Sequence, residues 1–430
     1  MASSTVHVLV LYWHPESPGT MRAAIRHHLR ALESSGMKYK ILYYNAVHGA
    51  PVWLRHLHFD AVILHTTLLC LRWSHQFYMW KWKLAWIRDL ECVKVAMPQD
   101  EYDHSEILDE WLYEWEVSEI FTIFKEDVRK VLYPLMCDKA DFYECFTGYI
   151  DESIAKRYLQ SLLPIDLRPY DIVYRATHLP YWFGSHGQLK HRIANVMGRR
   201  ALELGLKCDI STSVDDTIVG DRWLNFLASG RAVVGCESGS SVLDRRGEVR
   251  AKIQAMLRHN PTMSFEEVSS QLPVDWDDYR FFAISPRHFE AVMTKTCQIL
   301  VDGPYDGVLE ADKHYIPLRR DFSNIDEVLD KVRDQRLVES IVERAYSDIY
   351  LSGRYTYQRL ALSVDRALHK KRRPQQLSVG FGRKVIWPLG RVAGGLAIWR
   401  LKVEAVLRNL ITRKMQSMRS ILTAYRQARG

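Results

Sequence analysis

The chain has 430 residues, of which 47% are hydrophobic and 26% charged. That balance excludes wholesale disorder and a polytopic membrane protein, and at ~150 residues per domain the length accommodates two or three domains with cores of their own. The net charge of +8 is unevenly spread: residues 370–430 carry 15 Lys/Arg and a single acid, Glu404, so the preceding body, with 44 basic and 50 acidic residues, is net −6.

The N-terminus, MASSTVHVLVLYW, begins directly on a strand pattern without a basic n-region, so no signal peptide is expected. The apolar stretch Ala61–Leu71 is of strand length and is interrupted by His65, well short of the ~18–20 residues of a spanning helix. Seven cysteines, with no C-x-x-C spacing, predict neither a disulfide framework nor a zinc site. A reducing, cytoplasmic setting is the expectation.

In chain order, Val6–Tyr12 reads as a strand and Met21–Glu33 as a helix stopped at Ser34-Ser35-Gly36. Strands follow at Lys40–Tyr44, Asp60–Leu64 and Val93–Met97, the last closed by Pro98. Strands separated by helix-length segments predict parallel βαβ units. The pattern restarts with strand Tyr170–Arg175, helix Leu189–Leu204, strand Lys207–Ser211, helix Trp223–Ala228 and strand Ala232–Cys236. Shorter strands are expected at Phe281–Ile284, Gln298–Val301 and His314–Ile316, with an insertion over 243–280. The predicted fold is α/β, with two Rossmann-like domains facing across a cleft. The division is 1–165 for an acceptor domain, 166–369 for a second domain and 370–430 for a basic tail.

Open α/β sheets bind ligands at the carboxyl ends of their strands. His14, His65 and the pair Asp100-Glu101 all follow such ends in the first domain and are candidate site residues. The many aromatics from Trp73 to Trp86 are expected to pack between helices and domains.

The most informative stretch is Ser285-Pro286-Arg287-His288-Phe289-Glu290-Ala291, running on to Thr296-Cys297-Gln298-Ile299-Leu300. It resembles the nucleotide-sugar motif of GT-B fold glycosyltransferases, and His314–Leu318 with the helices up to Tyr357 looks like the end of such a domain. The resemblance covers roughly residues 170–368. It implies that Glu290 accepts hydrogen bonds from the donor ribose, and that the final helix returns to the first domain. A carboxylate early in a helix is favoured by the macrodipole and accepts two hydroxyl donors. The amides of the same helix suit a diphosphate, with Arg287 beside it. Many retaining members carry a second Glu eight positions earlier. Here that position is Phe282, and the stereochemical class stays open.

Further donor-binding candidates are Arg175 and Lys190, by their position in the second domain. Lys190 follows a Gly184-Ser185-His186-Gly187 turn whose amides could approach phosphate. The loop Glu237–Ser241, with Gly239 and Ser240, is expected to face the same cleft. If the transfer inverts, Asp100, Glu101 or His65 supplies the general base. No metal signature is present, no metal or cofactor is expected, and the nucleotide sugar is a substrate. The implied function is glycosyl transfer from a nucleotide-sugar donor to a hydroxyl on a glycan or lipid-linked acceptor, in envelope polysaccharide synthesis. The alternative is a non-catalytic GT-B shell serving as a scaffold in such an assembly.

From about Ala393 the tail reads as a basic amphipathic helix with Trp399 on its apolar stripe, which suits an anionic membrane surface. Docking on the body or on a protein partner is the other reading. Nucleic acid is disfavoured by the acidic body and the lack of a recognisable module.

Overall fold

The computed structural model describes residues 6–15, 21–36, 39–49, 51–55, 57–218, 220 and 222–370. The first lobe is a parallel six-stranded sheet in the order β2-β1-β3-β4-β5-β6. Its strands are β1 (Val6–Tyr12), β2 (Tyr39–Asn45), β3 (Ala61–His65), β4 (Val93–Met97), β5 (Glu119–Thr122) and β6 (Asp141–Glu144). β1, β3 and β4 are buried along their whole length, which is why they read as continuous apolar runs rather than alternating ones. On one face Leu9, Leu11, Val62, Leu64 and Ile120 pack beneath Trp111 and Trp115. On the other, Val8, Val10, Ile63 and Val95 meet Tyr357, Leu360, Val364 and Leu368 of the last described helix, Tyr357–Lys370.

The second lobe is a parallel five-stranded sheet, order β13-β12-β9-β7-β8. It consists of β7 (Tyr170–Arg175), β8 (Cys208–Ser211), β9 (Gly230–Gly235), β12 (Cys297–Val301) and β13 (Ile316–Leu318). The expected strand at 281–284 forms, but outside this sheet. β11 (Phe281–Ala283) pairs antiparallel with β10 (Ser238–Ser240), forming the stem of the insertion. The insertion carries helices Glu248–His259 and Phe265–Ser269 over a small core of Val242, Ile253, Val268 and Trp276.

This is the twin-lobe architecture that the GT-B resemblance implies. Among the described residues the lobes are joined at several points. The chain crosses once through helix Glu152–Leu159. It returns beside that crossing, where Ile150 N donates to Tyr355 O at 2.7 Å and Tyr357 N to Ile150 O at 3.2 Å. The insertion then docks on the loop after β4: His104 N donates to Asp244 O at 2.6 Å, Arg250 pairs with Asp103, and the Tyr102 and Phe281 rings stack at 5.6 Å. The tail expected to meet a membrane lies, beyond Lys370, outside the described residues.

Candidate functional site

The carboxyl ends of β7, β9 and β12 open into a cleft of about 500 Å³, within the size range of ligand sites. Its second-lobe wall includes Arg175, Lys190, Trp223, Ser285, Arg287 and Glu290, and Arg22–Ala24 of the first lobe close it from the other side.

Helix Pro286–Met293 begins at this cleft. Pro286 stands at its first turn, where a missing N–H costs nothing, and Ser285 offers no side-chain cap to the amides behind it. Glu290 follows one turn later. The Trp223 indole Nε1–H donates to its Oε2 at 2.7 Å, while Oε1 has no hydrogen-bond partner among the described residues. Burial pushes the Glu290 pKa up, and the Trp223 hydrogen bond and the Arg287 charge oppose that shift. Arg287 is exposed and lies over the Trp223 ring at 5.0 Å, with one N–H donated to Arg175 O at 2.6 Å. Trp223 therefore holds both the acid and the base of this wall. No periodicity or spacing reveals such an indole–carboxylate contact.

Lys190 sits in the second turn of helix Gly184–Glu203. Burial depresses its pKa; the Cys236 thiol and the Asp100 carboxylate act against that, and Arg287 with it. No carboxylate stands within ion-pair distance of its ammonium among the described residues, so its charge is free for a ligand. Arg175 differs. It lines the cleft, but its guanidinium is bound to Asp209 Oδ1 at 2.6 Å and to the Tyr174 and Asp209 carbonyls. Its charge is already matched within the lobe. Arg320, just past β13, is a cation the sequence reading passed over; its field reaches Cys236, Glu237 and His186.

The turn Gly184–Gly187 does not offer its amides to a phosphate. Ser185 N donates to both Asp277 carboxylate oxygens at 2.9 Å, and His186 N donates to Ser241 Oγ at 3.2 Å. The chain's own carboxylate, 92 residues away, occupies the place an anion would take. Gly239 and Ser240 likewise turn away from the cleft, leaving Ser238 on its wall. Gly239 has φ 110, and a Cβ there would collide with the Phe281 carbonyl. The Ser240 hydroxyl donates to Phe183 O at 3.2 Å and accepts from Val242 N at 3.0 Å. Phe282, in the place of a second Glu, stacks on His186 at 3.8 Å.

The three acid–base candidates of the first lobe separate. Glu101 is fully buried, receives hydrogen bonds from the Thr122 and Tyr133 hydroxyls, and burial raises its pKa to about 7. His65 is buried too, 2.9 Å from Thr67 Oγ1 and 3.1 Å from His28 Nδ1, and burial holds its pKa well below the ordinary 6.5. Both side chains are held inside the lobe and neither lines the cleft. His14 is partly exposed after β1 but is not on the cleft wall either. Asp100 is the one that remains partly exposed. It stands past the end of β4 in a left-handed backbone conformation (φ 49) and accepts the Tyr102 O–H at 2.7 Å, and it too lies off the cleft wall.

No family model matches the chain, and no curated protein does. Solved structures with a similar course of the chain are distant. TarM is 10% identical with a TM-score of 0.39, over 72% of this chain, and the chain spans about half (54%) of TarM's length. The T4 phage BGT in complex with its UDP-glucose substrate is 8% identical with a TM-score of 0.46, over 84% of this chain and 99% of that one. An alpha-glucosyltransferase in complex with UDP and a 13-mer DNA is 10% identical with a TM-score of 0.44, over 86% and 100%. At these identities no residue role is transferred, and the chemistry rests on the cleft itself.

Proposed function

We propose that the chain is a glycosyltransferase that binds a nucleotide sugar in the second lobe and passes the sugar to a hydroxyl presented by the first. The observation that carries this reading is one cleft wall that brings together Glu290, with one free carboxylate oxygen, Arg287 on the same helix, and the unpaired Lys190 from helix Gly184–Glu203. A carboxylate for ribose hydroxyls next to cations for a diphosphate is the donor set a nucleotide sugar needs.

In the inverting form, Asp100 takes the proton of the acceptor hydroxyl as its oxygen bonds to the anomeric carbon. The bond from that carbon to the phosphate oxygen breaks, and its electron pair leaves on the diphosphate. Lys190 and Arg287 meet the developing charge. The acceptor chemistry we favour is a glycan or lipid-linked hydroxyl in envelope polysaccharide synthesis, with the basic segment 370–430 on the anionic inner membrane face. Among the described residues no helix is long and apolar enough to cross a membrane.

A second reading, a binding shell without turnover, is favoured by Phe282 and by the withdrawal of Glu101 and His65 into the lobe. A panel of nucleotide sugars separates the two readings. A donor raises the melting temperature in both, because it binds only the folded state. Release of nucleoside diphosphate occurs only in the enzyme. No stabilisation by any member of the panel contradicts both.

A further inference from the structure

The loop that presents Asp100 is held from beneath by a residue that no site motif points to. Arg72 is 2% exposed and has no carboxylate within ion-pair distance among the described residues. Its guanidinium spends its donors on backbone carbonyls instead. Nε donates to Asp103 O at 2.9 Å, Nη1 to Leu69 O at 3.0 Å, and Nη2 to Gln99 O at 3.0 Å and Asp100 O at 2.7 Å. Trp73 covers the cation at 4.5 Å and donates its own Nε1–H to Asp103 O at 3.2 Å.

Three of these four acceptors belong to one five-residue turn, Gln99–Asp103. That turn is closed by Asp103 N donating to Asp100 O at 3.1 Å, and it places a non-glycine residue at positive φ. Left-handed backbone is disfavoured for a residue with a Cβ and persists where its surroundings hold it. A buried cation with no carboxylate in direct ion-pair contact is likewise disfavoured unless dipoles surround it. The two features offset each other: the carbonyls solvate the guanidinium, and its rigid fork fixes the carbonyls.

We propose that Arg72 is a positioning residue that fixes the Gln99–Asp103 turn and, through it, the direction of the Asp100 carboxylate. The proposal rests on the reading of Asp100 as the group that takes the acceptor proton. Lysine at position 72 keeps the charge and most of the stem but cannot span the four carbonyls, so the turn loses its fixed geometry while the lobe stays filled.

The test compares the full-length protein with Arg72→Lys, Asp100→Gly and the double variant. Glycine adopts the left-handed conformation without strain, so Asp100→Gly removes the carboxylate and spares the turn. Two readouts are taken. The first is amide hydrogen exchange at Asp103 and His104. The second is diphosphate release from the most rapidly consumed member of a panel of UDP-, GDP- and ADP-linked hexoses, with water as acceptor. Arg72→Lys is expected to lose protection at these two amides. Its turnover falls on the order of 10²-fold while nucleotide affinity is unchanged, since a misplacement near 1 Å is enough for that loss. In the Asp100→Gly background, Arg72→Lys adds no more than about a twofold loss, because both changes remove one interaction. Retained protection at Asp103 and His104 in Arg72→Lys overturns the proposal whatever the turnover, as does a loss that is fully additive with Asp100→Gly. If Asp100→Gly itself leaves turnover intact, the reading of Asp100 falls instead, and exchange at the two amides still decides whether Arg72 holds the turn.

Discussion

Glu101 is fully buried and Glu290 partly exposed, and the two differ in what their oxygens touch. Glu101 has its oxygens engaged by Thr122, Tyr133 and the backbone, so nothing is left for a substrate. Glu290 keeps one oxygen free, with Arg287 on its own helix and Lys190 on the same cleft wall. Their raised pKa values give separate predictions. Glu101 titrates near 7 in the folded chain against 4.5 ordinarily. The folded state therefore holds more protons than the unfolded one between those values, and this residue's contribution makes stability fall as pH rises through that window. Urea unfolding of Glu101→Gln should lack that slope, and its donor turnover should survive. Donor affinity, by contrast, depends on an ionised Glu290 and a protonated Lys190. It is expected to fall on the acid side at a pH above the ordinary 4.5 of a glutamate. On the alkaline side it should fall below the ordinary 10.5 of a lysine. Calorimetric titration with a nucleotide sugar across pH reads both limbs, and an affinity flat from pH 4.5 to 10.5 contradicts the assignment.

At the scale of elements, the sequence was most legible where one local signal sufficed. Continuous apolar strands such as β1, β3 and β4 announce themselves, and so does the helix entered by Ser285-Pro286. β5 and β6 escape because they are four residues each and carry Glu119, Thr122, Asp141 and Glu144, whose partners Tyr143, Glu101, Lys370 and Arg129 are brought to them only by the fold. The turn at Gly184 shows the other limit. Its glycines and helix start look like a phosphate cradle, but whether those amides are open depends on Asp277, which no spacing rule brings there. Gly239 fails similarly: its φ serves the tight β10–β11 pairing rather than a ligand. The last helix confirms a longer-range expectation by packing on the first sheet. Leu360 is 2% exposed there, so Leu360→Ala should cost about 2–5 kcal/mol of stability. Thermal unfolding measures that loss, with nucleotide affinity preserved well below the melting temperature because the cleft wall is built by other elements.

At the scale of the whole molecule, the cleft is defined by how firmly the lobes are tied. The insertion docks through Asp244, Arg250 and Phe281 onto the Asp100–His104 turn, and the return of the chain at Ile150 and Tyr355 fastens the opposite side. Arg22–Ala24 of the first lobe and Lys190 of the second thus line one cleft without needing a ligand to bring them together. The central claim is that this gap receives a nucleotide sugar through Glu290. Its most direct measurement is calorimetric titration of the stabilising nucleotide sugar into the wild-type chain and into Glu290→Gln. The change removes the charge and one hydroxyl acceptor, and hydrogen bonds to a charged group contribute about 1.5–3 kcal/mol, so affinity should weaken roughly 10- to 100-fold with the melting temperature of the free protein little changed. Equal affinity in the two proteins would contradict the account.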